Sequence, residues 1–225
     1  METPNSLHRQ ALDKTGTIIA AIKPDQWTQP TPCEGWDVRA LTNHMVAGNL
    51  WAAELAGGKT IEEVGDRLDG DVLGADPADA YTRSAAVAAD AFDAPGALES
   101  PCAVSYGPVP GEVYAGHRFI DVLIHGWDLA VATGQNTELD PQLVTACAQI
   151  VEPQAHALRA SGAFGNTDQP APPGADEQTR LLMTLGRHPE PCRSSRRRPH
   201  LRCPSPWTSF GRADRGALDV IGHAG

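Results

Sequence analysis

The sequence predicts an all-α fold, a four-helix bundle with long connections, on three observations. Four long stretches of the 225-residue chain space their apolar residues at helical intervals. Proline or glycine closes each of them. The third stretch, rich in alanine, has a strongly helix-forming composition. Hydrophobic residues make up 41% of the chain, so a sizeable core can form.

The first helix is expected over residues 6–23. Leu7, Ala11, Ile18, Ile19 and Ile22 give it an apolar face, and Pro24 stops it. A breaker-rich loop, Thr28 to Trp36, follows. Asp37 reads as the N-cap of a second helix over 38–56, which Gly57-Gly58 ends. Residues 59–76, with Gly and Asp throughout, read as irregular. The third helix spans about 77–94, with Pro77 suited to a first turn and Pro95-Gly96 as the stop. Residues 100–111 read as an extended connection with room for a short strand pair. The fourth helix, about 112–133, ends at Gly134. A fifth is expected over 141–160, kinked near Pro153. A Pro/Gly-rich linker at 162–175 leads to a short helix from Glu177 to Leu185.

The bundle is placed at residues 1–187, with a disordered or irregular tail at 188–225. From Arg187 on, the chain has many Pro and Arg, no Lys and no periodicity, so it cannot bury an apolar face. That composition fits translation through a shifted reading frame better than a basic arm for an acidic partner. Residues 187–225 hold eight Arg against three acids, a net of +5. Residues 1–186 hold ten Lys or Arg against 25 acids, a net of −15. So acidic a body repels nucleic acid, and no nucleic-acid partner is expected for it. No apolar run is long enough for a membrane span, and the N-terminus lacks the pattern of a secretory signal. A cytoplasmic protein with no membrane partner is therefore the expectation. The five cysteines are scattered and form no C-x-x-C pair, which argues against a disulfide framework or a structural zinc ribbon. Cys33, in a Pro-Cys-Glu-Gly segment, reads as an ordinary loop cysteine.

The fourth helix carries the strongest chemical signal. His117, Asp121, His125 and Asp128 are spaced four, four and three apart, so they share one face. Phe119, Ile120, Val122, Leu123, Ile124, Trp127 and Leu129 surround them, which argues that the helix is largely buried. Buried imidazoles and carboxylates need partners or a cation. Spacing alone is weak support, because Glu152–His156 and Asp219–His223 share it. Three readings stay open on the residues alone: a metal site, a hydrogen-bonded structural stripe, or a metal-free acid/base site. A metal site needs a third ligand from another helix, and His44 is the candidate. His44, Asp121 and His125 would leave positions open for water or substrate, as catalytic sites do. Zn²⁺ is the leading ion, and the same donors suit Fe²⁺, Ni²⁺ or Mn²⁺.

Two segments carry a family resemblance: Thr31-Pro-Cys-Glu-Gly-Trp-Asp-Val-Arg-Ala-Leu-Thr-Asn-His44 and Asp121-Val-Leu-Ile-His125-Gly-Trp-Asp-Leu-Ala. Together they resemble the mycothiol-dependent maleylpyruvate isomerase-like metal-binding domains of the DinB-like superfamily. The resemblance covers about residues 5–187. It implies a DinB-like four-helix bundle whose metal ligands are His44, Asp121 and His125, with His117 as an alternate or supporting group. The isomerases use Glu where this chain has Asp121, one methylene shorter. The residues after 187 do not resemble the C-terminal domain that the isomerases carry. The implied activity is a divalent-metal-dependent thiol S-transferase. It would activate a low-molecular-weight thiol such as mycothiol for attack on a small electrophile. The alternative is a non-catalytic metal- or ligand-binding bundle, and the chain is expected to be a monomer or homodimer.

Overall fold

The computed structural model describes residues 2–155 and 171–189. Four long helices form the bundle: α1 (Pro4–Ala20), α2 (Val38–Ala56), α4 (Pro77–Asp93) and α5 (Gly111–Thr133). A one-turn helix, α3 (Ile61–Val64), lies between α2 and α4. Strands β1 (Pro101–Val104) and β2 (Gly107–Pro110) form an antiparallel hairpin before α5. Helices α6 (Pro141–Val151) and α7 (Glu177–Thr184) pack on each other beside the bundle. The all-α expectation holds, with the hairpin as the strand pair anticipated at 100–111.

Boundaries differ in two places. α1 starts at Pro4, whose fixed φ suits a first turn, and passes into a turn at Ala21 rather than reaching residue 23. The irregular stretch after Gly58 contains α3. Thr60 caps it reciprocally with Glu63, which satisfies amides that four residues alone could not. The helix expected over 141–160 is interrupted near Pro153, as anticipated: α6 gives way after Val151, and Ala155 is helical again. Pro153 has no N–H to donate, and the chain tightens into a 3₁₀ turn over Glu152–Gln154. The expectations for the rest of that helix, for most of the linker and for the tail beyond Pro189 lie outside the described residues.

α1 packs on α5 and α4, and α2 packs on α4 and α5. α5 is the central element, with most of its 23 residues buried. Leu12, Leu41, Met45, Phe119, Ile124 and Leu129 build the main core. Trp51, Leu55, Phe92, Val104 and Tyr114 form a second cluster at the hairpin end. The α1–α5 approach depends on Gly126. A Cβ there would lie 2.3 Å from Thr15 Oγ1, and the Thr15 hydroxyl donates to the Val122 carbonyl at 3.2 Å. Gly134 (φ 65°, ψ 30°) closes α5 in the left-handed conformation that favours glycine. No helix among the described residues is long and apolar enough to cross a membrane.

His8 is fully buried against the edge of Phe92, with ring centroids 5.4 Å apart. Neither of its ring nitrogens meets a hydrogen-bond partner among the described residues. Burial, helped by the Arg118 charge, pushes its pKa down to about 3. The native state therefore resists a proton that the unfolded chain accepts near pH 6.5. Stability from this group is present above pH 6.5 and is lost as pH falls from 6.5 towards 3. Lowering the pH from 7 to 5 is expected to cost about 2 kcal/mol through His8. Urea unfolding of wild type and His8→Leu at the two pH values checks this, because the variant should lack that part of the slope.

Candidate metal centre

α2 and α5 run side by side and bring the candidate donors together. Asp37 accepts from the Ala40 amide at 2.8 Å and starts α2, which places His44 in its second turn. Asp121 and His125 lie one turn apart on α5. His44 Nε2 is 3.4 Å from Asp121 Oδ1, and His125 Nε2 is 3.5 Å from the same oxygen. One donor atom from each of the three residues falls within 4.8 Å of the others. The Trp36 indole walls the group, 4.8 Å from the His44 ring and 6.3 Å from the His125 ring between centroids.

The donor set fits a divalent cation. Tetrahedral bonds of about 2.0–2.2 Å to nitrogen and oxygen would separate the donors by about 3.3–3.5 Å. The two nitrogen–oxygen separations match that edge. Three protein ligands also leave a coordination position open.

A second layer aims these donors. Arg118 Nη1 donates to Asp121 Oδ2 at 2.9 Å and Nη2 to Asn49 Oδ1 at 3.2 Å, which leaves Oδ1 facing the histidines. His125 Nδ1 donates to Asp128 Oδ2 at 3.0 Å, which turns Nε2 towards Asp121 and His44, where a bound cation would take the place of the Nε2 proton. Asp128 also accepts from Arg187, from Nε at 3.2 Å and Nη2 at 2.7 Å. The Cys33 thiol donates to Asp128 Oδ2 at 3.3 Å.

The electrostatics follow from these contacts. Burial alone would raise Asp121, but the charges of Arg118, His125 and His44 hold it well below the usual carboxylate range. Burial likewise opposes charge on Asp128, and Arg187 and His125 outweigh it. Burial opposes charge on His125 as well. The Asp121 charge, Cys33 and the Asp128 hydrogen bond overcome it and push His125 up to about 10. For His44 burial dominates, and its pKa is lowered despite Asp121.

His117 stands apart from this group. It hydrogen-bonds through Nδ1 to the Tyr106 hydroxyl beside the hairpin, and burial lowers its pKa to about 4. Its position predicts that His117→Ala changes zinc affinity by less than about twofold, since it neither joins the donors nor orients one. Chelator competition measures this.

Three participants escaped the sequence reading. Cys33 is no ordinary loop cysteine, because it is buried against His125 and Asp128. Arg118 was hidden among apolar neighbours on α5. Arg187 was read as the start of the tail, yet it is buried in the site. Cys33, His125 Nδ1 and Asp128 also converge as a possible donor set, but the Arg187 guanidinium already supplies a cation there.

Comparison with known proteins places the chain. Residues 8–130 match the family model described as the mycothiol maleylpyruvate isomerase N-terminal domain. Two Mycobacterium tuberculosis proteins, Rv0738 and MT0763, from different strains and both described as uncharacterized, are 36% identical over 192 residues. That alignment spans 82% of this chain and 97% of each relative. Crystal structures of the mycothiol-dependent maleylpyruvate isomerase and of its histidine-to-alanine mutant share the fold, with a TM-score of 0.52 and 16% identity. They cover 69–70% of this chain and 75% of theirs. The family match extends over the hairpin and over all four long helices up to Ala130, and so takes in both motifs that hold the donors. The chain belongs to the mycothiol maleylpyruvate isomerase N-terminal domain family.

Proposed function

We propose that the protein holds one divalent metal ion through His44, Asp121 and His125 and activates a low-molecular-weight thiol, mycothiol or a relative, for transfer to a small electrophile. The convergence of three donors from two helices within 4.8 Å, with both nitrogen–oxygen separations at the tetrahedral edge, carries this reading. The isomerase that shares the fold is mycothiol-dependent, which supports the choice of thiol. Zn²⁺ is the preferred ion, with Fe²⁺, Ni²⁺ and Mn²⁺ admitted by the same donors.

A bound divalent cation lowers the pKa of a coordinated thiol from about 8.5, so that it is present as thiolate at neutral pH. The protein's own residues prepare for that anion. The buried charges of Asp121 and Asp128 are matched by Arg118 and Arg187. The charge of an added cation is therefore left for an exogenous anion to neutralise. Arg118 restrains the shorter Asp121 side chain so that a single oxygen faces the histidines. His44 and Asp121 keep 8% and 9% exposure beside the partly buried Trp36, the side on which a small thiol would approach.

The test is consumption of mycothiol by zinc-loaded protein with a generic electrophile such as chlorodinitrobenzene. Turnover should require zinc and disappear in His125→Ala. Full zinc loading without turnover of several low-molecular-weight thiols would instead support a non-catalytic metal-binding bundle.

A further inference from the structure

We propose that Arg187 is a positioning residue of the metal centre, acting through Asp128 to orient His125. The inference rests on the reading of His125 as a metal ligand. It makes the segment after α7 part of the site, although Arg187 lies well beyond the residues of the family match.

Asp128 is fully buried, and its Oδ2 gathers three donors: Arg187 Nη2 at 2.7 Å, His125 Nδ1 at 3.0 Å and Cys33 Sγ at 3.3 Å. Its other oxygen accepts from Arg187 Nε at 3.2 Å. The guanidinium thus engages both oxygens at once, and a planar fork fixes the plane of the carboxylate. With that plane fixed, Oδ2 stays aimed at Nδ1, and the imidazole can neither turn nor exchange its donor nitrogen without losing the bond. A carboxylate held only by His125 and Cys33 would be free to rotate about its Cβ–Cγ bond.

The fork is itself anchored. The Arg187 amide donates to the Leu182 carbonyl at 2.8 Å, and Nη1 donates to the Leu185 carbonyl at 2.8 Å. Leu181, Leu182 and Leu185 are buried in the main core and fix the end of α7 against the bundle. The competing view is that Arg187 only closes the bundle through a buried ion pair. That role would affect stability and leave His125 as it is.

The experiment compares zinc affinity and imidazole ¹⁵N spectra in wild type, Arg187→Met, Arg187→Lys and Asp128→Asn. Arg187→Met should weaken zinc binding about 10–100-fold, the range for loss of a group that orients a ligand. Arg187→Lys keeps the charge, loses the fork and should fall between Met and wild type. It also serves if the Met variant does not fold. Because Arg187 acts through Asp128, Arg187→Met should add no further loss in the Asp128→Asn background. The spectra should show a hydrogen-bonded His125 Nδ1 proton that is protected from exchange in wild type and loses that protection in the Arg187 variants. Wild-type zinc affinity and a wild-type Nδ1 proton signal in folded Arg187 variants, with only Tm lowered, would overturn the proposal. So would an equal loss with and without Asp128. Failure of wild type to bind zinc would defeat the metal reading instead, and the ¹⁵N spectrum would still decide whether Arg187 positions His125.

Discussion

Replacing His44 with alanine is expected to weaken zinc binding by more than about 100-fold, since loss of a group that merely orients a ligand already costs 10–100-fold. Without His44 the site keeps only Asp121 and His125, two donors from neighbouring turns of one helix. The same change should remove zinc-dependent stabilisation. Zinc at a hundred times its Kd adds about 2.7 kcal/mol to a protein that binds only when folded, about 5–10 °C in Tm for a domain of this size. His44 also packs on Trp36 and His125, so alanine leaves a gap of its own. The informative quantity is therefore the difference in Tm between zinc and chelator within each protein. Wild type should show the rise and His44→Ala should not. A variant that kept both zinc affinity and the rise would remove His44 from the ligand set.

The second large effect concerns Arg118. Replacing it with methionine keeps the stem but leaves Asp121 buried without its guanidinium. Breaking a buried pair from one side costs about 3–5 kcal/mol where the remaining charge has no compensation, and His125, 3.5 Å from Asp121, supplies part of it here. Urea unfolding of Arg118→Met in chelator should show a loss near the lower end of that range, about 3 kcal/mol. Zinc, or a second change of Asp121→Asn, should restore part of it by neutralising or removing the stranded charge. A loss below about 1 kcal/mol would mean that water or another group takes the place of Arg118. The arrangement also depends on Gly48. A Cβ there would lie 2.6 Å from Arg118 Nη1, so the guanidinium rests on bare backbone.

Much of this was legible in the sequence, and what was not has a common cause. α2 and α5 carried their boundaries on their face, with Asp37, Gly57 and Gly134 marking ends that local rules govern. α3 was missed because a single turn has no periodicity, and only the Thr60–Glu63 pair marks it. The kink expected near Pro153 is present as the 3₁₀ turn that interrupts the helix after Val151, since proline cannot continue the hydrogen-bond ladder. Among the site residues, Asp121 and His125 stood out by spacing on an apolar helix, and His44 by its apolar surroundings. Arg118 lies three residues before Asp121, a helical i,i+3 pairing that the sequence offered and the reading passed over. Arg187 and Cys33 gave no comparable signal, since Arg187 reaches Asp128 from 59 positions away and Cys33 reaches it from 95. No local pattern encodes contacts at those separations. Arg187 was further obscured by the arginine-rich composition that follows it. The stripe on α5 was real, but the structure divides it: Asp121, His125 and Asp128 turn into the bundle, and His117 is taken by Tyr106.

The central claim is that His44, Asp121 and His125 hold a metal on which a small thiol binds as thiolate. Cobalt substitution tests it most directly. Protein loaded with one equivalent of Co²⁺ should show visible bands of tetrahedral intensity. Titration with mycothiol should add a near-ultraviolet thiolate-to-cobalt charge-transfer band at neutral pH, and His44→Ala and His125→Ala should show neither signal. Tetrahedral cobalt that never develops the thiolate band, or a band that persists in both histidine variants, would contradict the account.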